Sequence, residues 1–193
     1  MGSTDSDKDL PTVQSDISKR IDEIVDAQSA IRIFDRYVLE MAIHLPVVLF
    51  SPGTAAAEIR STKPILFLSI LVAASVGMTD LRIQQELAQI VMGVFADCII
   101  RNGEKSLELV QALQIATIWY RPPKRYEQMN FYQLSHIAAV MAIDVGMGKR
   151  LNSSKNLRMV GGYDKFRRPK YLFNADTVEA RRTWLGCYFL CAK

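Results

Sequence analysis

An all-α fold is predicted by three observations. Apolar residues recur at spacings of three and four along most of the chain, no stretch alternates with the two-residue period of a strand, and Pro, Asn-Gly and Gly stops separate the periodic segments. With 193 residues, 49% of them hydrophobic, the chain holds enough apolar surface for one domain with a sizeable core. The expected architecture is a multi-helix bundle of orthogonal or irregular packing, an incomplete part of a larger helical region. No period repeats as in a solenoid.

The elements follow in order. MGSTDSDKDLPT has the composition of a disordered lead-in, so residues 1–15 are expected to form a tail. Between Asp16 and Leu45, Ile17, Ile21, Ile24, Ile31, Phe34, Val38 and Met41 lie at helical spacing, and Pro46 ends the run. LPVVLFSPGT reads as an apolar turn, and TAAAEIRS as a short helix capped by Thr54. Lys63-Pro64 breaks the chain before PILFLSILVAASV, which is apolar on every side and therefore expected to be a buried helix.

Thr79 or Asp80 begins the next helix, which runs to Arg101 and stops at Asn102-Gly103. Ser106 to Tyr120 forms another, with Leu107, Val110, Leu113 and Ile118 among its apolar positions, before RPPKR ends it. Gln128 to Val145 is helical again and stops at Gly146. These segments make a helical domain over 16–146. A basic variable linker at 147–174 follows, and a last helix of the same domain at 175–193. Asp176 is placed to cap that helix, with Glu179 three residues on in a capping-box arrangement.

Charge limits the function. The formal net charge is +4 and the pI about 9.0. Between Met147 and Asn174, however, stand Lys149, Arg150, Lys155, Arg158, Lys165, Arg167, Arg168 and Lys170 against Asp164 alone. The rest of the chain is thus net negative, and the basic character belongs to one linker. Its interleaved Tyr163, Phe166, Tyr171 and Phe173 suit stitching to the body as well as stacking on bases. Linker is the preferred reading.

Candidate chemistry is sparse. Cys98, Cys187 and Cys191 make neither a disulfide framework nor a complete metal site, although Cys187 and Cys191 could share a helical face. His44 and His136 sit among apolar residues and read as interior or boundary histidines. Ser135 and His136 are adjacent on a helix, so they diverge by about 100° and form no dyad. GMGK at Gly146–Lys149 lacks the first Gly and the final Ser or Thr of a phosphate loop, and reads as a helix stop. No catalytic constellation stands out, so no enzyme is expected. The longest apolar run, Pro64 to Met78, falls short of the roughly 20 residues that span a bilayer. MGSTDS fits the pattern for myristoylation at Gly2, with Ser6 in the last position. It supplies the alternative function, an N-myristoylated, membrane-associated helical adaptor.

Four segments, in order, carry a resemblance. LPVVLFSPGTAAAEIRSTKPILFLSILVAASV resembles the opening of the regulatory, or middle homology, region of fungal Zn(2)-Cys(6) zinc-cluster transcription factors. LVQALQIATIWYRPP resembles the helix that follows there, with Leu113, Trp119 and Tyr120 in matching places. LSHIAAVMAIDVGMGK is similar to the next, through Ala142, Asp144 and Gly146. EARRTWLGCYFLCA resembles the family's "eaRRafLGCyyLss" motif, with Glu179, Arg181, Arg182, Leu185, Gly186, Cys187 and Tyr188 matching. The resemblance covers residues 45 to 192.

It implies a nuclear, non-catalytic regulatory region that contacts proteins of the transcription machinery, a small effector, or a DNA-binding segment elsewhere. Zinc is implied only for the family's six-cysteine DNA-binding cluster, which three cysteines cannot build. No cofactor and no direct DNA binding are therefore expected of this chain. The seam at residues 16–45 leaves room for dimerisation, and no transmembrane segment is expected. The motif residues carry a structural role, with Arg181 and Arg182 clamping their helix to an earlier one. Lys193 is expected to mark a cut in a longer fold.

Overall fold

A computed structural model describes residues 10–123, 125–148 and 177–192. The described residues form helices and turns with no strand, so the all-α expectation holds. The helices are α1 (Leu10–Asp22), α2 (Ala27–Arg36), α3 (Ala56–Thr62), α4 (Pro64–Ala74), α5 (Leu81–Phe95), α6 (Leu107–Ile118), α7 (Phe131–Asp144) and α8 (Val178–Cys191).

At the N-terminal end the single expected helix is two. α1 begins at Leu10, inside the stretch read as a tail, and ends at Asp22. Asp26 then takes an extended conformation and accepts the Ser29 N–H at 2.9 Å, opening α2 with its own cap. Periodicity did not show this break because Ile21, Val25, Ile33 and Phe34 all face the same core on both sides of it. α2 continues into a π-helical turn at Tyr37–Met41, whose Tyr37 hydroxyl donates to the Val48 carbonyl at 3.0 Å in the interior. Phe34, Phe50 and Phe67 stack in a tilted aromatic group with centroids 5.3 and 5.8 Å apart.

Thr54 does not cap α3. Its hydroxyl donates back to the Ser51 carbonyl at 2.8 Å, and Ala55 occupies the cap position.

α4 is the axle of the fold. Pro64 stands in its first turn, where its fixed φ and missing N–H cost nothing, and residues 64–71 are all buried. α1, α2, α3, α5 and α6 all touch it. Both of its ends are satisfied by other elements. The Glu108 carboxylate accepts the Ile65 and Leu66 N–H groups at 2.7 and 3.2 Å. Arg36 donates to the Ala74 carbonyl at 3.0 Å and also to that of Val76. A negative group at the N-terminus and a cation at the C-terminus both oppose the helix dipole.

α5 extends through a π-helical turn, Ala96–Arg101, and stops where Gly103 adopts a φ of 67°. The run Leu81–Arg101 is long and apolar enough to cross a bilayer by length and composition alone, a property shared with core helices of soluble domains. It buries Leu87, Val91, Val94, Phe95 and Cys98 against the body. α6 is capped by Ser106, which accepts the Leu109 N–H at 3.1 Å. A 3₁₀ turn at Tyr126–Gln128 precedes α7, so that helix starts at Phe131 and not at Gln128. It ends at Gly146, with φ of 90°. The Gly-Met-Gly stretch is thus a helix stop.

α8 lies across α6 and α7. Thr177, not Asp176, is its N-cap, accepting the Ala180 N–H at 3.1 Å. Asp176 itself, the basic linker from Lys149 onward and the Gly2 acylation pattern lie outside the described residues.

Candidate functional site

The motif helix α8 divides into two faces. Ala180, Thr183, Gly186, Cys187 and Leu190, at helical spacing, are buried. Arg181 is exposed, and Leu185 and Tyr188 on the outer side are 65% and 71% exposed. The sequence motif is therefore not one cluster: Glu179, Gly186 and Cys187 turn toward α6, and Arg181, Leu185 and Tyr188 away from it.

The inner face meets α6 through a polar seam. α6 reads LELVQALQIATI, and Gln111 and Gln114, three apart, interrupt its apolar surface on the side facing α8. Gln111 donates to Glu179 Oε1 at 2.9 Å and to the Thr183 hydroxyl at 3.3 Å. Gln114 donates to the Thr183 carbonyl at 2.6 Å and to Cys187 Sγ at 3.2 Å. Its own Oε1 is the buried side-chain oxygen without a partner among the described residues. Lys63, from the α3–α4 junction, pairs with Glu179 across the mouth of the seam. The bonds from Gln111 and Gln114 of α6 thus end on Glu179, Thr183 and Cys187 of α8. Arg182, three residues on from Glu179, is half-buried, and its charge favours the Glu179 carboxylate.

Electrostatics follow from burial and partners. Burial works against the Glu179 carboxylate. Hydrogen bonds from Lys63 and Gln111, with the Lys63 and Arg182 charges, outweigh it and hold the group below the usual carboxylate range. Burial dominates at Glu108 and raises its pKa in spite of the two backbone N–H bonds. Burial pushes the Cys98 thiol up to about 12 and the Cys187 thiol up to about 11, so neither is a nucleophile at neutral pH.

A second feature lies at the C-terminal end of α6. A half-open cleft of about 750 Å³ separates α4, α5, the end of α6, and the loop leading to α7. Its floor is apolar, with Val72, Ala73 and Ile115 among the lining residues. Gln84, Gln85, Gln89 and Arg121 add polar groups to its lining, and no carboxylate lines it among the described residues. One wall is braced: the Tyr120 hydroxyl donates to Asn130 Oδ1 at 2.9 Å and accepts the Asn130 N–H at 3.0 Å.

The candidate chemistry of the sequence is dispersed. His44 and His136 are both exposed, not interior, because each points off the outer side of its segment. Ser135 donates to the Tyr132 carbonyl at 3.0 Å and lies 3.5 Å from His136 Nδ1, and among the described residues no carboxylate is hydrogen-bonded to the ring to make a triad. Cys187 is buried and bonded to Gln114, while Cys191 is exposed and donates to the Ser135 carbonyl at 3.8 Å. Among the described residues no three His, Cys, Asp or Glu converge on a metal position, and these cysteines do not fit a zinc cluster. Gln111, Gln114, Lys63 and Glu108 were missed by the motif reading. Their one signal was the pair of amides inside an otherwise apolar helix.

Comparison with known proteins finds relatives of one kind. The chain is 40% identical over 172 residues to "Transcription factor pbcR" of Emericella nidulans, a match covering 87% of this chain and 23% of that protein. It is 21% identical over 141 residues to "Weak acid resistance protein 1" of Saccharomyces cerevisiae, covering 71% of this chain and 15% of that protein. It is 23% identical over 151 residues to "Transcriptional regulatory protein SEF1" of Candida albicans, covering 77% and 15%. The chain thus spans less than a quarter of the length of these relatives. No family model matches it. No solved structure matches it either.

Proposed function

This chain is a relative of fungal zinc-cluster transcription factors, and from that premise we propose that it is a non-catalytic regulatory helical region, working in the nucleus through contacts with proteins or small effectors. The observation that carries the reading is the 40% identity to a transcription factor across 87% of the chain. Partners in this reading are the transcription machinery or a DNA-binding segment elsewhere, and no cofactor enters it. The buried seam between α6 and α8 supports a structural role for the motif: it fixes the helix that carries the outward-facing Arg181, Leu185 and Tyr188.

The test is a fusion of the chain to a heterologous DNA-binding domain upstream of a reporter in fungal cells. Transcription is expected to change relative to that domain alone. An unchanged reporter at equal protein level would overturn the regulatory reading. The chain by itself is expected to give no sequence-specific shift of DNA in a gel, and a salt-resistant specific complex would contradict this.

A further inference from the structure

We propose that the cleft bounded by α4, α5 and the end of α6 is a binding site for a small molecule with an apolar body and an oxygen acceptor at one end. The volume, about 750 Å³, lies within the range of ligand pockets, and the cavity is formed by packed helices without any partner chain. The apolar part of the lining, with Val72 of α4 and Ile115 of α6, offers only dispersion and desolvation to an occupant. Such a surface favours an apolar body over a sugar or a nucleotide.

The polar groups at the rim set the other end. Gln84 is already committed: its amide donates to the Ser75 and Thr79 carbonyls at 3.3 and 2.8 Å and ties α5 to the turn after α4. By contrast, neither the Trp119 indole N–H nor the Arg121 guanidinium has a hydrogen-bond partner among the described residues. Both are donors, and both line the cleft. Among the described lining residues no carboxylate gives a cation a counter-charge, whereas a carbonyl or acidic oxygen meets two donors that have no partner among those residues. The Tyr120–Asn130 brace, with Tyr120 set edge-on to Phe131 at 5.6 Å, holds that wall in place before anything binds.

This inference deepens the effector part of the functional reading and rests on it. Binding is measured on the isolated chain and regulation in cells, so either can fail without the other. The probe is 1-anilinonaphthalene-8-sulfonate, compared with its parent lacking the sulfonate, N-phenyl-1-naphthylamine. Trp184→Phe leaves Trp119 as the chain's single tryptophan reporter. One sulfonate probe per chain is expected to bind saturably and quench Trp119, more tightly than the parent. Arg121→Gln is expected to weaken the sulfonate about fivefold and leave the parent unchanged. Ala88→Leu, which fills the cleft from α5, is expected to weaken both about tenfold or more at unchanged helical circular dichroism. Should that variant misfold, Gln89→Trp blocks the same opening from an exposed position. Equal affinity for both probes, no quenching of Trp119, or full binding to a folded blocked variant would each overturn the proposal.

Discussion

Gly186 shows how closely a single residue of the motif is constrained. A Cβ at this position would lie 2.7 Å from Gln114 Nε2 and 3.0 Å from Val47 Cγ1. Gln114 is fully buried and bonded to Thr183 and Cys187, so it cannot swing aside as a surface amide would. Gly186→Ala is therefore expected to destabilise the chain by about 1–3 kcal/mol in urea unfolding, despite the better helix propensity of alanine. Wild-type stability would mean that α8 does not approach α6 this closely. Glu179 makes a prediction in pH. Its folded pKa is depressed, so its contribution is present above the ordinary carboxylate value and lost as pH falls through the folded one. The Glu179 side chain is 41% exposed, which limits the effect to about 1 kcal/mol or less. Glu179→Gln is expected to be less stable than wild type at pH 7 and to show a flatter decline in acid. Parallel pH profiles for the two proteins would remove the ion pair with Lys63 from the account.

α4 explains both what the sequence disclosed and what it concealed. Its uniform apolar run, with Pro64 in the first turn, announced a buried helix, and the structure buries it on all sides. Its caps were not legible, because they come from Arg36 and Glu108, far away in the chain and ordinary in composition. The same reason separates the rest. Helix stops made of Gly or Pro act locally and were readable at Gly103 and Gly146. The break at Asp26 was hidden because the apolar period continues across it. At α8 the motif pointed to the correct helix, but the amides on α6 that bond Glu179 and Cys187 lie far from it in the chain and were not legible from the motif. Glu108→Ala leaves the Ile65 and Leu66 N–H groups without their acceptor and is expected to cost about 1–3 kcal/mol by thermal or urea unfolding at pH 7. Glu108→Gln keeps an acceptor and is expected to cost less. The Glu108 pKa is raised, so the folded chain holds that proton more tightly, and stability from this group falls as pH rises through the raised value. The Gln variant loses that pH dependence; an Ala variant as stable as wild type would show that water caps α4 equally well.

Across the whole molecule, one apolar core joins elements that the chain separates widely. It includes Ile17 and Ile21 of α1, Phe34 of α2, most of α4, Leu113 of α6, Met141 of α7 and Cys187 of α8. α6 occupies its middle, touching α4, α7 and α8. Nothing in this arrangement marks α8 as a separate unit, although residues 149–176 separate it in sequence from α7. The two tryptophans make this testable. Trp119 ends α6 beside the cleft, whereas Trp184 of α8 stacks on Gly148, where an added Cβ would meet its ring at 2.9 Å. In single-tryptophan variants the two emission transitions in urea are expected to coincide with each other and with loss of helical circular dichroism. Leu113→Ala, which empties a fully buried position of the shared core, is expected to lower stability by about 2–5 kcal/mol and to move both transitions together. A Trp184 transition at lower urea than that of Trp119 would instead show that α8 leaves the core by itself. The polar seam of Gln111, Gln114 and Glu179 would then be a detachable contact and not part of one cooperative fold.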